Sequence, residues 1–219
     1  MKKFLIIGLI LFFSTEILFG HTINYTLNKQ TDGQVFWIYL WEGFKHILPL
    51  GLDHILFVLC VFFLNTNLKK IILQASMFTV AHTITLGLSM YGIIKPPGNI
   101  VEPLIALSIV FLAIENIYSD KVKPWRMVMV FLFGLVHGMG FASALSDLGM
   151  PDYAFGTALI SFNIGVELGQ LSIILAMYFL VSRNFSSAKW YRPKLVVPVS
   201  IIIAVIAGYW TIERIWMNG

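Results

Sequence analysis

The chain has 219 residues, of which 58% are hydrophobic and only 12% charged, with a mean hydropathy of +0.83. This composition excludes a soluble globular protein, because there are too few polar residues to cover the apolar ones, and it predicts an integral membrane protein. The net charge of +4 does not indicate a nucleic-acid partner, since the 15 Lys and Arg lie singly or in pairs at the ends of apolar runs, where they act as topology signals.

The first twenty residues have the pattern of a secretory signal peptide. Lys2 and Lys3 precede an apolar stretch that begins at Phe4, although Leu18 occupies a position where a small residue is preferred, so an uncleaved anchor remains the alternative. With either interpretation, residues 21–35 form a short extracytoplasmic segment. Residues 36–219 are then predicted to form a single membrane domain.

Six apolar runs follow, each bounded by Pro, Gly or charged residues. They occupy residues 52–66, 71–91, 100–118, 127–145, 154–181 and 195–212, and the first is short for the roughly 20 residues that a crossing helix needs. Before them, residues 37–48 mix aromatic and charged side chains, which is typical of a helix at the membrane interface. The sequence thus predicts an all-α bundle of about six transmembrane helices, with an interfacial helix before the first span.

The distribution of Lys and Arg predicts the orientation of this bundle. If the amino terminus is outside, the inner loops hold Lys69, Lys70, Lys121, Lys123, Arg126, Arg183, Lys189, Arg192 and Lys194, whereas the outer segments hold Lys29, Lys45, Lys95 and Arg214. Cytoplasmic loops carry the excess of positive charge in membrane proteins. We therefore expect a bacterial-type inner (cytoplasmic) membrane protein, with both termini extracytoplasmic.

Polar side chains within the apolar runs are the main functional signal, because a charge at mid-bilayer costs on the order of 2.5–3.5 kcal/mol. His82, His137 and Glu167 are all predicted to lie near the middle of the membrane. Asn163 and Gln170 share a helical stripe with Glu167, at spacings of four and three residues. Such a stripe on an apolar helix is expected to face protein or a pore.

Small residues predict which helices touch. The GxxxG pattern, which permits close approach of two helix backbones, occurs twice, as Gly134 with Gly138 and as Gly165 with Gly169. The first pair brackets His137 and the second brackets Glu167. We therefore expect the fourth and fifth crossings to pack together and to bring His137 toward Glu167. The alternative is a His–Glu hydrogen bond that serves helix association only.

Further candidate ligands lie near the outer ends of the runs. His46, Asp53 and His54 occur in HILPLGLDHILFVL, and imidazole together with carboxylate suits nickel, cobalt, zinc or copper. Asp53 is equally a candidate helix N-cap after the Pro and Gly break. Glu102 fits a capping box at the start of the third run, with a supporting role at the site as the alternative. Glu115, at the inner end of that run, is expected to meet water.

Five stretches resemble the HupE/UreJ family of small membrane proteins, most closely its second branch. They are GFKHILPLGLDHILFVL, FTVAHTITLGL, IVEPLIALSIVFLAIEN, FGLVHGMGFASALSDLGMP and FNIGVELGQL, and they cover roughly residues 43 to 175. The resemblance implies a nickel or cobalt permease associated with hydrogenase and urease maturation. It also implies metalloenzyme-maturation partners or a homo-oligomer.

The family signatures match with defined departures. The family has five residues between a His and an Asp-His pair, whereas six residues separate His46 from Asp53 here. In the second signature, Phe-His-Gly-x-Ala-His-Gly-x-Glu, the chain keeps His137 but has Phe133 for the first His and Gly140 for the final Glu. Glu167, on the next helix, is a candidate to supply the absent carboxylate.

Three functions are consistent with these patterns. In a secondary metal permease, an ion captured at Asp53 and His54 passes to a midplane site of His82, His137 and Glu167. In a membrane hydrolase, His54, His82 and His137 hold zinc; three His nitrogens within about 4 Å of one point would favour it, whereas separate polar layers joined by a cavity favour transport. An accessory subunit would use its polar residues for packing only. The bound group is predicted to be a divalent transition metal, as substrate or ligand, with no organic cofactor.

Overall fold

The computed structural model describes residues 30–65, 67–148 and 150–217, and all the regular structure in these ranges is helical. The seven main helices are α1 Asp32–Ile47, α2 Leu52–Phe63, α3 Leu68–Met90, α4 Gly98–Tyr118, α5 Trp125–Leu148, α6 Phe155–Met177 and α7 Val197–Met217. A 3₁₀ turn at Asp152–Ala154 precedes α6, and π-helical turns at Tyr178–Ser182 and Arg192–Val196 extend α6 and lead into α7. The predicted signal peptide lies outside the described residues.

Helices α3 to α7 are each long and apolar enough to cross a membrane, whereas α1 and α2 meet that criterion only together, as a pair bent by 69° at the break between them. This confirms the predicted all-α membrane bundle but corrects its beginning. The predicted first span is only the twelve-residue helix α2, which is too short to cross alone. The predicted interfacial helix is α1, which instead buries Tyr39, Gly43 and Ile47 within the bundle and forms the first half of this bent pair.

The glycines mark close helix contacts, with partners other than those predicted. A Cβ on Gly165 would overlap the Leu40 carbonyl of α1, and a Cβ on Gly138 would overlap the His82 carbonyl of α3. The first GxxxG pair therefore packs α5 on α3, and the second packs α6 on α1. The fourth and fifth predicted crossings are α5 and α6. The prediction that they pack together through their GxxxG pairs is wrong, because one pair packs against α3 and the other against α1.

Helices α4 and α7 run antiparallel and define the two ends of the bundle. At one end, Arg214 of α7 donates to the Glu102 carbonyl of α4 at 3.1 Å. At the other end, Arg192 donates to the Ile117 carbonyl at 3.0 Å. Helix α2 lies between the longer helices and contacts α3, α4 and α6. We call the end with Glu102 the Arg214 end. We call the end with Ile117 the Arg126 end, after a buried arginine that the next paragraph describes.

A buried polar cluster holds the last turn of α2 at the Arg126 end. The side chain of Arg126 is fully buried, and its guanidinium forms an ion pair with Glu115. It also donates to Gln74 Oε1 at 3.2 Å and to the Cys60 carbonyl at 2.8 Å. The Asn116 side chain donates to the same carbonyl at 2.9 Å. Because the last carbonyls of a helix lack partners within it, these donors complete α2. Glu115 is therefore buried, not hydrated as predicted, and Arg126 lies inside the bundle instead of in a loop.

Candidate metal centre

The break between α1 and α2 brings three histidines together. His46 lies in the last turn of α1, His54 in the first turn of α2, and His82 in α3. One nitrogen from each ring lies within 4.8 Å of the other two. The ring centroids of His46 and His54 are 4.6 Å apart, and those of His54 and His82 are 5.9 Å apart. The separation of His54 from His82 by depth, which the sequence suggested, is therefore wrong, because the first span bends inside the bundle.

His137 stands beside this group as a fourth imidazole. Its ring centroid is 5.1 Å from that of His54. Helix α5 carries His137 and packs closely against α3, where the backbone of Gly138 touches that of His82. The close α3–α5 contact thus brings together the two helix backbones that carry His82 and His137.

A hydrogen bond sets the tautomer of His82. Its Nδ1 lies 3.1 Å from Asn163 Oδ1, while the Asn163 amide group donates to the Leu159 carbonyl at 2.8 Å. Since Oδ1 can only accept, His82 Nδ1 carries the proton. This leaves the lone pair of His82 on Nε2, as a metal ligand requires.

A hydrogen bond from α4, through Ser108, sets the tautomer of His137. The Ser108 hydroxyl donates its single proton to the Ile105 carbonyl at 2.7 Å, so its oxygen accepts from His137 Nε2 at 3.0 Å. The lone pair of His137 therefore lies on Nδ1. That atom is buried without a hydrogen-bond partner.

All four rings keep a buried nitrogen without a partner: Nε2 of His46, His54 and His82, and Nδ1 of His137. A buried polar atom left unpaired costs about 1–3 kcal/mol, so four in one place point to a ligand. An ion about 2.1 Å from each nitrogen would require the three closest rings to move by less than about 1 Å. Imidazole donors suit zinc, copper, nickel and cobalt.

A cavity of about 500 Å³ connects this cluster with the Arg214 end. Its lining includes His46, His54 and His137 at the deep side. Asp53 and Glu102, which also line it, pair with Arg214 at 2.8 Å and 3.5 Å. The predicted capping roles of both acids are wrong: Gly51 and Pro97 precede the two helices, and neither helix has a side-chain cap. Asp53 faces the cavity mouth and is not in the group of three ligands.

An aromatic layer separates the histidines from the Arg126 end. The rings of Phe57 and Phe78 lie 5.2 Å and 5.0 Å from that of His137, and 4.6 Å from each other. Phe133 packs against Phe57 at 6.3 Å. None of the three lines the cavity, whose lining reaches Arg214 and does not include Arg126.

Glu167 lies apart from the histidines. Its two carboxylate oxygens lie 2.6 Å from the hydroxyls of Ser76 and Thr79 on α3, in a groove that shares no lining residue with the cavity. The predicted approach of His137 to Glu167 is therefore wrong, and Glu167 does not supply the missing carboxylate. The predicted polar stripe does face protein, through Asn163 and Glu167, whereas the buried amide of Gln170 has no hydrogen-bond partner.

The carboxylate nearest to Gly140 belongs to Glu102. A Cβ built on Gly140 would lie 3.6 Å from Glu102 Oε1 and 2.5 Å from the Ile105 side chain. The space that a longer side chain at position 140 would need is thus filled from α4. The sequence did not indicate that Glu102 lies beside Gly140, because this placement depends on how α4 packs against α5.

Two functional residues were not identified from the sequence. Ser108 gave no signal, since a serine in an apolar helix commonly donates to its own backbone. Arg214 did give one: it is a lone arginine at the predicted outer end of the last crossing, against the positive-inside bias. Its ion pairs with Asp53 and Glu102 explain why it lies there.

A family model described as "HupE / UreJ protein" matches residues 22–214, which is most of the chain. No curated protein matches the chain, and no solved structure matches it either.

Proposed function

Because the chain belongs to the HupE/UreJ family, whose members are related to metal transport, we propose that it is a secondary permease for a divalent transition metal. Nickel and cobalt are the first candidates and zinc the third. The observation that carries the proposal is the cavity that joins His46, His54 and His137 to the Arg214 end, because it gives an ion at the histidines a route from one side of the bundle. The convergence of the histidines supplies the binding site. The ion is the transported substrate, not a resident cofactor.

In this proposal the Arg214 end faces outside and the Arg126 end faces the cytoplasm of a bacterial-type cell. The loops at the Arg126 end carry most of the Lys and Arg, which supports this orientation. The ion enters through the cavity past Asp53 and Glu102, where carboxylates attract a cation. It binds the imidazoles and leaves after the aromatic layer of Phe57, Phe78 and Phe133 opens.

The donor set is compatible with transport. The group of three contains only neutral imidazoles, with no thiolate and no carboxylate among the described residues. A transported ion must bind well enough to enter and weakly enough to leave. An uncharged donor set leaves the charge of the ion in place, whereas thiolates or carboxylates would neutralise it. Delivery to a metalloenzyme-maturation partner and assembly as a homo-oligomer remain part of the proposal.

Metal-dependent hydrolysis is the second candidate, and one observation favours it. Three histidine nitrogens within 4.8 Å of one another resemble a catalytic zinc site with an open fourth position. Such a site also needs a carboxylate that activates water, whereas Asp53 and Glu102 are both paired with Arg214. We therefore rank transport first.

Flux through the purified protein tests the proposal. Proteoliposomes are incubated with external nickel, cobalt or zinc, washed with a chelator and analysed for internal metal. We expect many ions per protein to accumulate for at least one metal, and no gain over empty vesicles for His54→Ala. Metal bound at about one ion per chain, without accumulation, would contradict transport and favour a hydrolase or an accessory subunit.

A further inference from the structure

Glu167 is the mid-membrane carboxylate that the metal centre does not use. Among the described residues, Asp53, Glu102 and Glu115 form ion pairs with arginine, whereas Glu167 has no cationic partner. Its neighbours on α3 are the hydroxyls of Ser76 and Thr79. An ionisable group inside a membrane span that is not neutralised by a partner is a functional candidate.

The groove around Glu167 opens on the outer surface of the bundle. It encloses about 360 Å³ and is lined by Ser76, Thr79, Val80, Thr83, Ile160, Asn163, Ile164 and Glu167. Val80 and Ile160 are more than half exposed and apolar, as expected of side chains that meet lipid. Only α3 and α6 contribute to this lining, and apart from Glu167 it contains no titratable or charged side chain.

The hydroxyls around Glu167 can serve a charged and a neutral carboxyl. Ser76 lies 2.6 Å from Oε1 and donates to it. Thr79 lies 2.6 Å from Oε2 and 3.2 Å from the Ala75 carbonyl. When the carboxyl is ionised, Thr79 donates to it. When the carboxyl is protonated, it donates to Thr79, and Thr79 donates to Ala75.

A change at Glu167 has a short route to the metal centre. Asn163 lies one turn away on the same face of α6 and holds His82 Nδ1 at 3.1 Å. Thr79 lies three residues before His82 on α3. Both contacts belong to the same α3–α6 interface, so a rearranged hydrogen bond at Glu167 alters the support of a ligand.

We propose that Glu167 is the proton-binding site of this permease, and that a proton taken up there is exchanged for the metal ion held by the histidines. This inference rests on the proposed function. The proton binds at the carboxylate in the groove and the ion binds at the histidines, so the two substrates bind at separate sites. The step is a simple association of one proton with the carboxylate, and it consumes nothing else.

Labelling with N,N′-dicyclohexylcarbodiimide tests the proton site without any transport. This apolar reagent partitions into lipid and adds to protonated carboxyl groups: the carboxyl oxygen bonds to the carbodiimide carbon, the proton moves to nitrogen, and the adduct rearranges to a stable N-acylurea. In lipid vesicles we expect mass spectrometry to find the adduct on Glu167, with labelling that falls as pH rises. No adduct on Glu167 at any pH would overturn the proposal.

Transport by Glu167→Gln tests the coupling. Glutamine keeps hydrogen bonds to both hydroxyls but cannot exchange a proton, so a purely structural role would be preserved. We expect the purified variant still to fold and to bind metal, while stimulation of metal flux by a pH gradient is lost. Glu213→Gln, which removes a carboxylate bonded to Tyr209, is the matched control and should keep the stimulation.

The outcomes separate the two proposals. If Glu167 is labelled but the Glu167→Gln flux still responds to a pH gradient, the coupling is overturned and the permease stands. If native vesicles show no metal flux, the permease is overturned, and the labelling still decides whether Glu167 binds a proton.

Discussion

Replacing His54 by Ala is expected to weaken metal binding by the purified protein strongly. His54 contributes one of the three closest nitrogens and adjoins His46, His82 and His137. Loss of an outer-shell partner alone weakens metal sites 10- to 100-fold, so loss of a ligand should raise the dissociation constant by more than about 100-fold. Competition with a chelator of known affinity, for nickel, cobalt and zinc in turn, measures the change.

Cys60→Ala is the matched control for this experiment. Cys60 lies on the same helix and is also buried, and a thiolate would be a stronger soft ligand than an imidazole. Because its side chain is not among the converging groups, we expect the variant to bind metal as the native protein does. Equal binding by His54→Ala and the native chain would show that the histidines do not hold the ion.

Replacing Arg126 by Met is expected to destabilise the bundle by about 3–5 kcal/mol, because it leaves the Glu115 carboxylate buried without its partner. The same change removes the donors to the Cys60 carbonyl and to Gln74, so that this carbonyl in the last turn of α2 keeps only the Asn116 donor. Unfolding in detergent, followed by circular dichroism, and the amount of protein in the membrane both report the effect.

The double variant Arg126→Met, Glu115→Met separates charge from packing. Removing both members of a buried ion pair is often neutral, so the double variant should recover most of the lost stability. If it is no more stable than Arg126→Met alone, the uncompensated carboxylate is not the cause. The polar contacts to α2 would then carry the stability instead.

The sequence predicted the bundle because hydrophobicity over about 20 residues is a local property. Helices α3 to α7 correspond to the predicted runs, since each run has its own Pro, Gly or charged boundary. The first crossing was mispredicted for a tertiary reason. Residues 37–48 read as interfacial because of their charges, yet Gly43 lets α1 press against the backbone of Phe162, and this contact places α1 inside the bundle.

The members of the site could be predicted, but their arrangement could not. His46, His54, His82 and His137 stood out because imidazoles are rare in apolar helices. Their convergence depends on the bend between α1 and α2, which residue spacing does not encode. The GxxxG pairs likewise predicted close helix contacts but not the partners, since any helix with a suitable surface can fill the space.

X-ray absorption spectroscopy of the metal-loaded protein tests the central claim, that imidazoles from α1, α2 and α3 share one ion. We expect a first shell with at least three histidine nitrogens at about 2.0–2.2 Å, reduced by one in a His82→Ala sample that still retains metal. A first shell made mainly of oxygen, or one with a single imidazole, would contradict the account.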